Sequence, residues 1–220
     1  SVEYFVDYSN LDVMTKEELE AIADVLRGTN ILVLSDEIYA EMTYTGNHCS
    51  FASLPDMWER TLVVNGFSKA YAMTGWRLGY LCAPKEICDA ALKIHQYAMM
   101  SAPTASQFAA IEALKSGEEA KDEMVAEYRI RRNLFVKGLN DIGLSCHLPQ
   151  GAFYAFPSIE STGLSDEEFA ERLLKEQQVA VVPGSAFGES GKGHVRTCYA
   201  VDRPRLTEAV RRISEFGDSL

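Results

Sequence analysis

The sequence predicts an α/β layered fold in two parts, and three observations carry that prediction. A capped helix leads into a run of apolar strand segments. A helix alternating with such strands is the pattern of an α/β layered sheet. A long polar helix near the middle then separates them from a second series of strands and helices.

The elements follow in order. "TKEELEAIADVLRG" reads as a helix, with Thr15 and Glu18 spaced as a capping box, Leu19, Ile22, Ala23 and Leu26 as its buried stripe, and Gly28 as its stop. "NILVLSDEIY" reads as a strand whose unbroken apolar run predicts burial on both faces. "RTLVVNGFS" and "LGYLCAP" read as two further strands. From residue 85 the pattern turns helical: "PKEICDAALKIHQYAMM" places Ile87, Ala91, Ile94 and Ala98 on one stripe, and "PTASQFAAIEALKSG" has proline near its start and glycine past its end. "EEAKDEMVAEYRIRRNLFVKGLNDIG" is long enough to bridge two lobes, and Gly143 ends it. The remainder reads strand, helix, strand, strand, helix: "GAFYAFP", "SDEEFAERLLKEQ" with Ser165 and Glu168 as a second capping box, "VAVVPG", "HVRTCYA" and "PRLTEAVRRISEF". The domain boundary is expected near residue 140, giving 1–140 and 141–220.

Composition narrows the function. Acidic residues outnumber basic ones 32 to 21, a formal net charge of −11, which repels a phosphate backbone and an anionic membrane surface alike. No apolar run reaches the length of a membrane span, and the N-terminus lacks a basic stretch followed by an apolar core. Cys49, Cys82, Cys88, Cys146 and Cys198 show no regular spacing, which suggests reduced thiols and a cytoplasmic setting. The four histidines are dispersed and outside any metal-ligand pattern, so no metal is expected.

Asp36 ends an apolar strand, where α/β sheets gather ligands, although an isolated aspartate there more often caps a turn. Tyr39 follows three residues on and, alone, reads as a core tyrosine with its hydroxyl at the rim. Lys69 also follows a strand. Most lysines face water, but Ala70, Ala72, Gly75 and Trp76 make this segment small and apolar. A partly desolvated lysine has a lowered pKa and becomes an amine nucleophile. Arg77 supplies a planar fork for a phosphate or carboxylate, and Ser68 adds a hydroxyl. Together a carboxylate, phenol, amine and guanidinium suit pyridoxal phosphate, which needs an amine partner, an anion at its ring nitrogen, a donor at its phenolic oxygen and a clamp on its phosphate. Arg196 shares its strand face with Cys198 and Ala200, so its charge needs an anion: an internal carboxylate or a substrate, about equally.

"SDEIY" followed by "NGFSKAYAMTGWRLGY", then "GAFYAFP", "PGSAFG" and "HVRTCYA" in the same order, resembles the class I/II, aspartate-aminotransferase-like group of fold-type I pyridoxal-phosphate enzymes. The resemblance runs from about residue 13 onward. It implies a three-layer large domain of the PLP-transferase type with a truncated sheet, plus a small C-terminal α+β domain. It implies amino-group transfer between an amino acid and a 2-oxo acid, with Lys69 forming the Schiff base to pyridoxal 5'-phosphate and shuttling the proton. Asp36 would pair with the ring nitrogen, Tyr39 with the phenolic oxygen, Ser68 and Arg77 with the phosphate, and Arg196 with the substrate α-carboxylate. It also implies a homodimer. Members are nearly twice as long, and the part without a counterpart here carries a phosphate-cradling loop, a stacking ring and several strands. The family's Asn-Pro-Thr-Gly turn matches "SNLDV" here, and Asn10 takes the asparagine's substrate-binding place only if two residues are missing. A carbon–sulfur lyase of the same fold, or a non-catalytic fragment, are the alternatives the resemblance allows.

Rival motifs fail. "GFSKA" has Ala70 where a nucleophile elbow needs its second glycine, and "SGKG" lacks the spacing of a phosphate loop. "CH" at residues 146 and 147 reads as two adjacent side chains with no orienting partner, in a surface or core role, and "RIRR" at 129–132 reads as a solvated helix face.

Overall fold

The computed structural model describes residues 12–220. They form two compact units, one over residues 13–125 and one over residues 126–220 with Asp12.

In the first unit, helix α1 (Lys16–Leu26) starts where the sequence predicts. The Glu18 N–H donates to Thr15 Oγ1 at 3.2 Å while the Thr15 N–H donates to Glu18 Oε2 at 2.7 Å. This reciprocal pair satisfies two helix-start donors and is worth about 1 kcal/mol. Leu19, Ala23 and Leu26 pack against Phe51, Leu54 and Met57 in one apolar cluster. Gly28, at φ +77°, turns the chain out of the helix.

Strand β1 (Val33–Asp36) pairs in parallel with β2 (Thr61–Gly66), and β3 (Gly79–Cys82) pairs antiparallel on β2's other side. The expected burial of β1 on both faces does not hold. Val33 and Ser35 are half-buried, whereas Leu34 is 68% exposed and Leu32 58%. Strand side chains alternate, so these two leucines share a face that the described residues leave uncovered. Helix α3 (Lys85–Ala98) forms where the spacing predicts, but none of its residues is buried, and Ile94 is 73% exposed. Helix α4 (Thr104–Ser116) buries Ser106 and Ala110, the latter in a small cluster with Phe67 and Met73.

Helix α5 (Glu118–Asp141) is continuous over 24 residues and buries Phe135, Val136 and Leu139. Arg132 is buried too, against the solvated face that "RIRR" predicts. Its NH1 donates to the Pro149 carbonyl at 2.7 Å, and its Nε and NH2 donate to Asn133 Oδ1 at 3.0 and 2.9 Å. These bonds satisfy a charge that would otherwise be too costly to bury.

The second unit contains β4 (Tyr154–Ala155), β5 (Val182–Pro183) and β6 (Val195–Cys198), with β6 central and antiparallel to both neighbours. Helices α6 (Asp166–Gln177) and α7 (Arg203–Asp218) are capped by Ser165 and Asp202, whose oxygens accept from the N–H groups of Glu168 and Arg205 at 3.2 and 2.9 Å. Phe169 and Phe216 meet edge to face, centroids 5.4 Å apart. On the surface, Arg131 and Arg203 hold the Glu127 carboxyl at about 2, below the usual carboxylate range, through their hydrogen bonds.

Gly184 and Gly191 touch backbone to backbone. A Cβ on Gly184 would lie 1.9 Å from the Gly191 carbonyl oxygen, and a Cβ on Gly191 would lie 2.1 Å from that of Gly184. Neither clash is with a side chain that could swing away. Gly184→Ala is therefore expected to cost about 3 kcal/mol or more, read as a lower denaturation midpoint at unchanged slope. A loss under about 0.5 kcal/mol, the range of neutral surface changes, would show that this contact can open freely.

Candidate active site

Because β1 and β2 are parallel, their C-terminal ends lie at the same edge of the sheet, with Asp36 opposite Val64. The Asp36 carboxylate is held in an Asx turn, its Oδ1 accepting from the Ile38 N–H at 3.2 Å. Beyond Gly66, the last residue of β2, the chain enters the short helix α2 (Phe67–Ala70). Phe67 is buried against Tyr71 and Tyr80, with centroids 5.7 and 6.0 Å away, and so anchors the helix that carries Ser68 and Lys69. Both of those side chains are half-buried. The Lys69 Nζ sits 5.9 Å from the centroid of the Tyr39 ring. The amine and the phenol that the sequence singles out are thus neighbours.

A cavity of about 250 Å³ lies at this sheet end, lined by Ile38, Asn65, Gly66, Ser68, Arg77, Leu78 and Gly79. Ser68 and Arg77, the two candidate anion ligands, both line it. Arg77 occupies a left-handed conformation, φ 53°, and its NH1 donates to the Thr74 carbonyl at 2.9 Å. Close backbone approach shapes the wall: a Cβ on Gly66 would stand 3.0 Å from both Gly79 Cα and the Leu78 carbonyl oxygen. A hydroxyl and a guanidinium around such a recess fit a phosphate group. Asp36, Tyr39 and Lys69 do not line this recess themselves.

Arg196 lies in the second unit, on β6 opposite Val182. Its strand face is the more open one: Cys198 is exposed, and it is Val195 and Thr197 that point into the core. The apolar surroundings come instead from two rings that strand alternation does not reveal. The guanidinium carbon lies 4.7 Å from the Tyr154 ring centroid and 4.4 Å from that of Phe187. The Arg196 Nε is buried with no hydrogen-bond partner among the described residues, and no ion pair to Arg196 occurs there. An unpaired buried donor on a charged group costs about 1–3 kcal/mol or more, so this edge is complementary to an anion from outside.

Asn10 lies outside the described residues. All five cysteines are free, and burial pushes the Cys146 thiol up to about 11, which leaves it unreactive. Contrary to the expectation of no orienting partner, its neighbour His147 faces Asp12, distant in sequence, Nε2 to Oδ1 at 3.0 Å. Four further residues shape these features without having been singled out in the sequence: Asn65, Glu37, Tyr154 and Phe187. Glu37 could have been found from the paired acids of "SDE"; the others carry no local signal.

Known proteins resemble this chain over most of its length. The chain is 58% identical over 204 residues to the Bacillus subtilis protein YugH, covering 93% of this chain and 53% of the relative. It is 47% identical over 206 residues to aromatic-amino-acid aminotransferase 2 of Thermococcus litoralis, covering 92% of this chain and 53% of that one. The crystal structure of an aromatic aminotransferase from Pyrococcus horikoshii OT3 superposes with a TM-score of 0.91 at 46% identity, over 95% of this chain and 57% of that one. The chain thus spans about half the length of the curated relatives it matches, and its fold is the corresponding part of the aminotransferase fold. The model of the family "Aminotransferase class I and II" matches residues 12–213, so the chain belongs to that family, whose members depend on pyridoxal phosphate.

Proposed function

We propose that this chain takes part in pyridoxal-phosphate-dependent transfer of an amino group between an amino acid and a 2-oxo acid. The observation that carries the reading is Lys69 beside Tyr39 at the same sheet end where Ser68 and Arg77 line a recess. The cofactor, when bound, supplies an electron-withdrawing ring that acidifies the substrate's α-proton. Lys69 is the amine that attaches it and then carries the proton. Asp36 keeps the ring nitrogen protonated by offering it a negative charge. Tyr39 donates to the phenolic oxygen, and Ser68 and Arg77 hold the phosphate. Arg196, its guanidinium beside the Tyr154 and Phe187 rings, offers its donors to the substrate α-carboxylate. The partition into a partial cofactor-binding domain, 1–140, and a small C-terminal domain, 141–220, belongs to the same proposal.

The test is to add pyridoxal phosphate to the chain and follow its visible absorption, then add an amino acid. The reading expects a visible band that bleaches as a 2-oxo acid appears. Absence of any band contradicts it. Release of pyruvate from cystathionine without an acceptor would make the chain a carbon–sulfur lyase instead.

A cytoplasmic setting is part of the proposal, supported by the five free thiols and the net charge of −11. No helix of the described residues is long and apolar enough to cross a membrane. So is a homodimer. Leu34 on β1 and Ile94, Tyr97 and Met100 around α3 are all exposed, the kind of apolar surface that a partner covers. Light scattering on a concentrated solution is expected to give at least twice the 24.4 kDa mass of one chain. A clean monomer would contradict self-association.

A further inference from the structure

The segment that carries Asp36 and Tyr39 is held from behind by a residue with no assigned part in the reaction. Glu37, between them in sequence, is 8% exposed, and its carboxylate accepts three hydrogen bonds. Ser50 Oγ donates to Oε1 at 2.7 Å, Ser35 Oγ donates to the same oxygen at 3.1 Å, and His48 Nε2 lies 2.9 Å from Oε2. The Glu37 N–H donates to the Val64 carbonyl at 2.9 Å, extending the β1–β2 ladder one residue beyond Asp36. The Glu37 carbonyl accepts from the Ala40 N–H at 3.0 Å, and the Tyr39 carbonyl from the Met42 N–H at 2.9 Å. The turn is therefore pinned to β2 through its backbone and to residues 48–50 through one carboxylate.

An apolar side chain could fill this position without the cost of burying a charge. Burial pushes the Glu37 carboxyl up, but hydrogen bonds from His48 and Ser50 outweigh it and hold the group below its ordinary value. The charge is thus kept. A charged, three-bonded carboxylate fixes rotamer and direction in a way that packing alone does not.

We infer that Glu37 is a positioning residue: its clamp on Ser35, His48 and Ser50 sets the directions in which Asp36 and Tyr39 meet the cofactor ring. This rests on the cofactor reading above, and the test separates the two. The readout is the induced circular dichroism of the visible band per bound cofactor, which reports the ring's orientation rather than stability.

Glu37→Ala is expected to lower that signal by about half or more, since sites need orientations held to about 10–20°. Glu37→Gln keeps an oxygen facing Ser50 and is expected to restore most of the signal. Leu206→Ala, buried on α7 in the second unit, controls for lost stability and is expected to leave it unchanged. If Glu37→Ala does not fold, Ser50→Ala, which removes the shortest of the three bonds, makes the same measurement. Wild-type signal in Glu37→Ala or in that substitute, or an equal loss in Leu206→Ala, overturns the inference alone. No induced band in the unsubstituted chain overturns the cofactor reading and this inference with it.

Discussion

Lys69→Ala is expected to leave a folded protein that no longer shows the visible band with pyridoxal phosphate. Lys69 sits in a short helical turn, half-buried, where alanine is a good helix former. The anchors of that turn, Phe67 and Ala70, are untouched. Stability should therefore change by about 0.5 kcal/mol or less, as for other substitutions away from the core. Chemistry should change far more. The amine is both the attachment point and the proton carrier, and removing such a group costs on the order of 10³-fold or more in turnover. Identical spectra from the two proteins would show that the assignment of Lys69 is wrong.

Arg196→Leu is expected to separate binding from stability in the opposite sense. A bidentate carboxylate contact makes two hydrogen bonds to a charged group, each worth about 1.5–3 kcal/mol. At about 1.4 kcal/mol per tenfold, affinity for a 2-oxo acid should fall by about 10²–10⁴. Stability should hold or rise, because the substitution removes a buried Nε that has no partner among the described residues. Leucine also keeps an apolar contact with Tyr154 and Phe187. Calorimetry with a 2-oxo acid and a thermal melt check the two halves. If the melt falls by several degrees while affinity is unchanged, Arg196 is a structural residue. Arg196→Lys should recover little, since a point charge cannot reproduce the planar fork.

The legible parts of this fold are those that local chemistry decides. The Thr15–Glu18 box and Gly28 and Gly143 with positive φ are readable from adjacent residues, and each does in the structure what its spacing predicts; of the second box, the Ser165 half forms. Lengths are less legible. "GAFYAFP" and "VAVVPG" read as strands of ordinary length, but regular pairing covers two residues in each. The apolar run before Asp36 is uninformative about its own faces. An unbroken run contains no alternation, so it cannot report that Leu34 is left uncovered.

Partners distant in sequence account for the remaining differences. Arg132 is buried because a carbonyl 17 residues away, that of Pro149, receives it. Glu37 meets His48 and Ser50 at separations of 11 and 13, across a turn and loop where no periodic pattern links them. Arg196 is odd in the sequence for a reason the structure revises: its strand face is open, and its apolar walls are rings contributed by Tyr154 and Phe187. In the candidate site, the residue types and their order are legible, because strand ends in a parallel pair must share an edge. The recess is not, since it depends on how closely Gly66 and Gly79 approach.

Chemical trapping tests the central claim most directly. The chain is mixed with pyridoxal phosphate, reduced with borohydride, digested, and its peptides weighed. The account predicts one dominant modified peptide, with the cofactor fixed to the side chain of Lys69. Modification spread across exposed lysines such as Lys85 and Lys137, or concentrated on any residue other than Lys69, would contradict it.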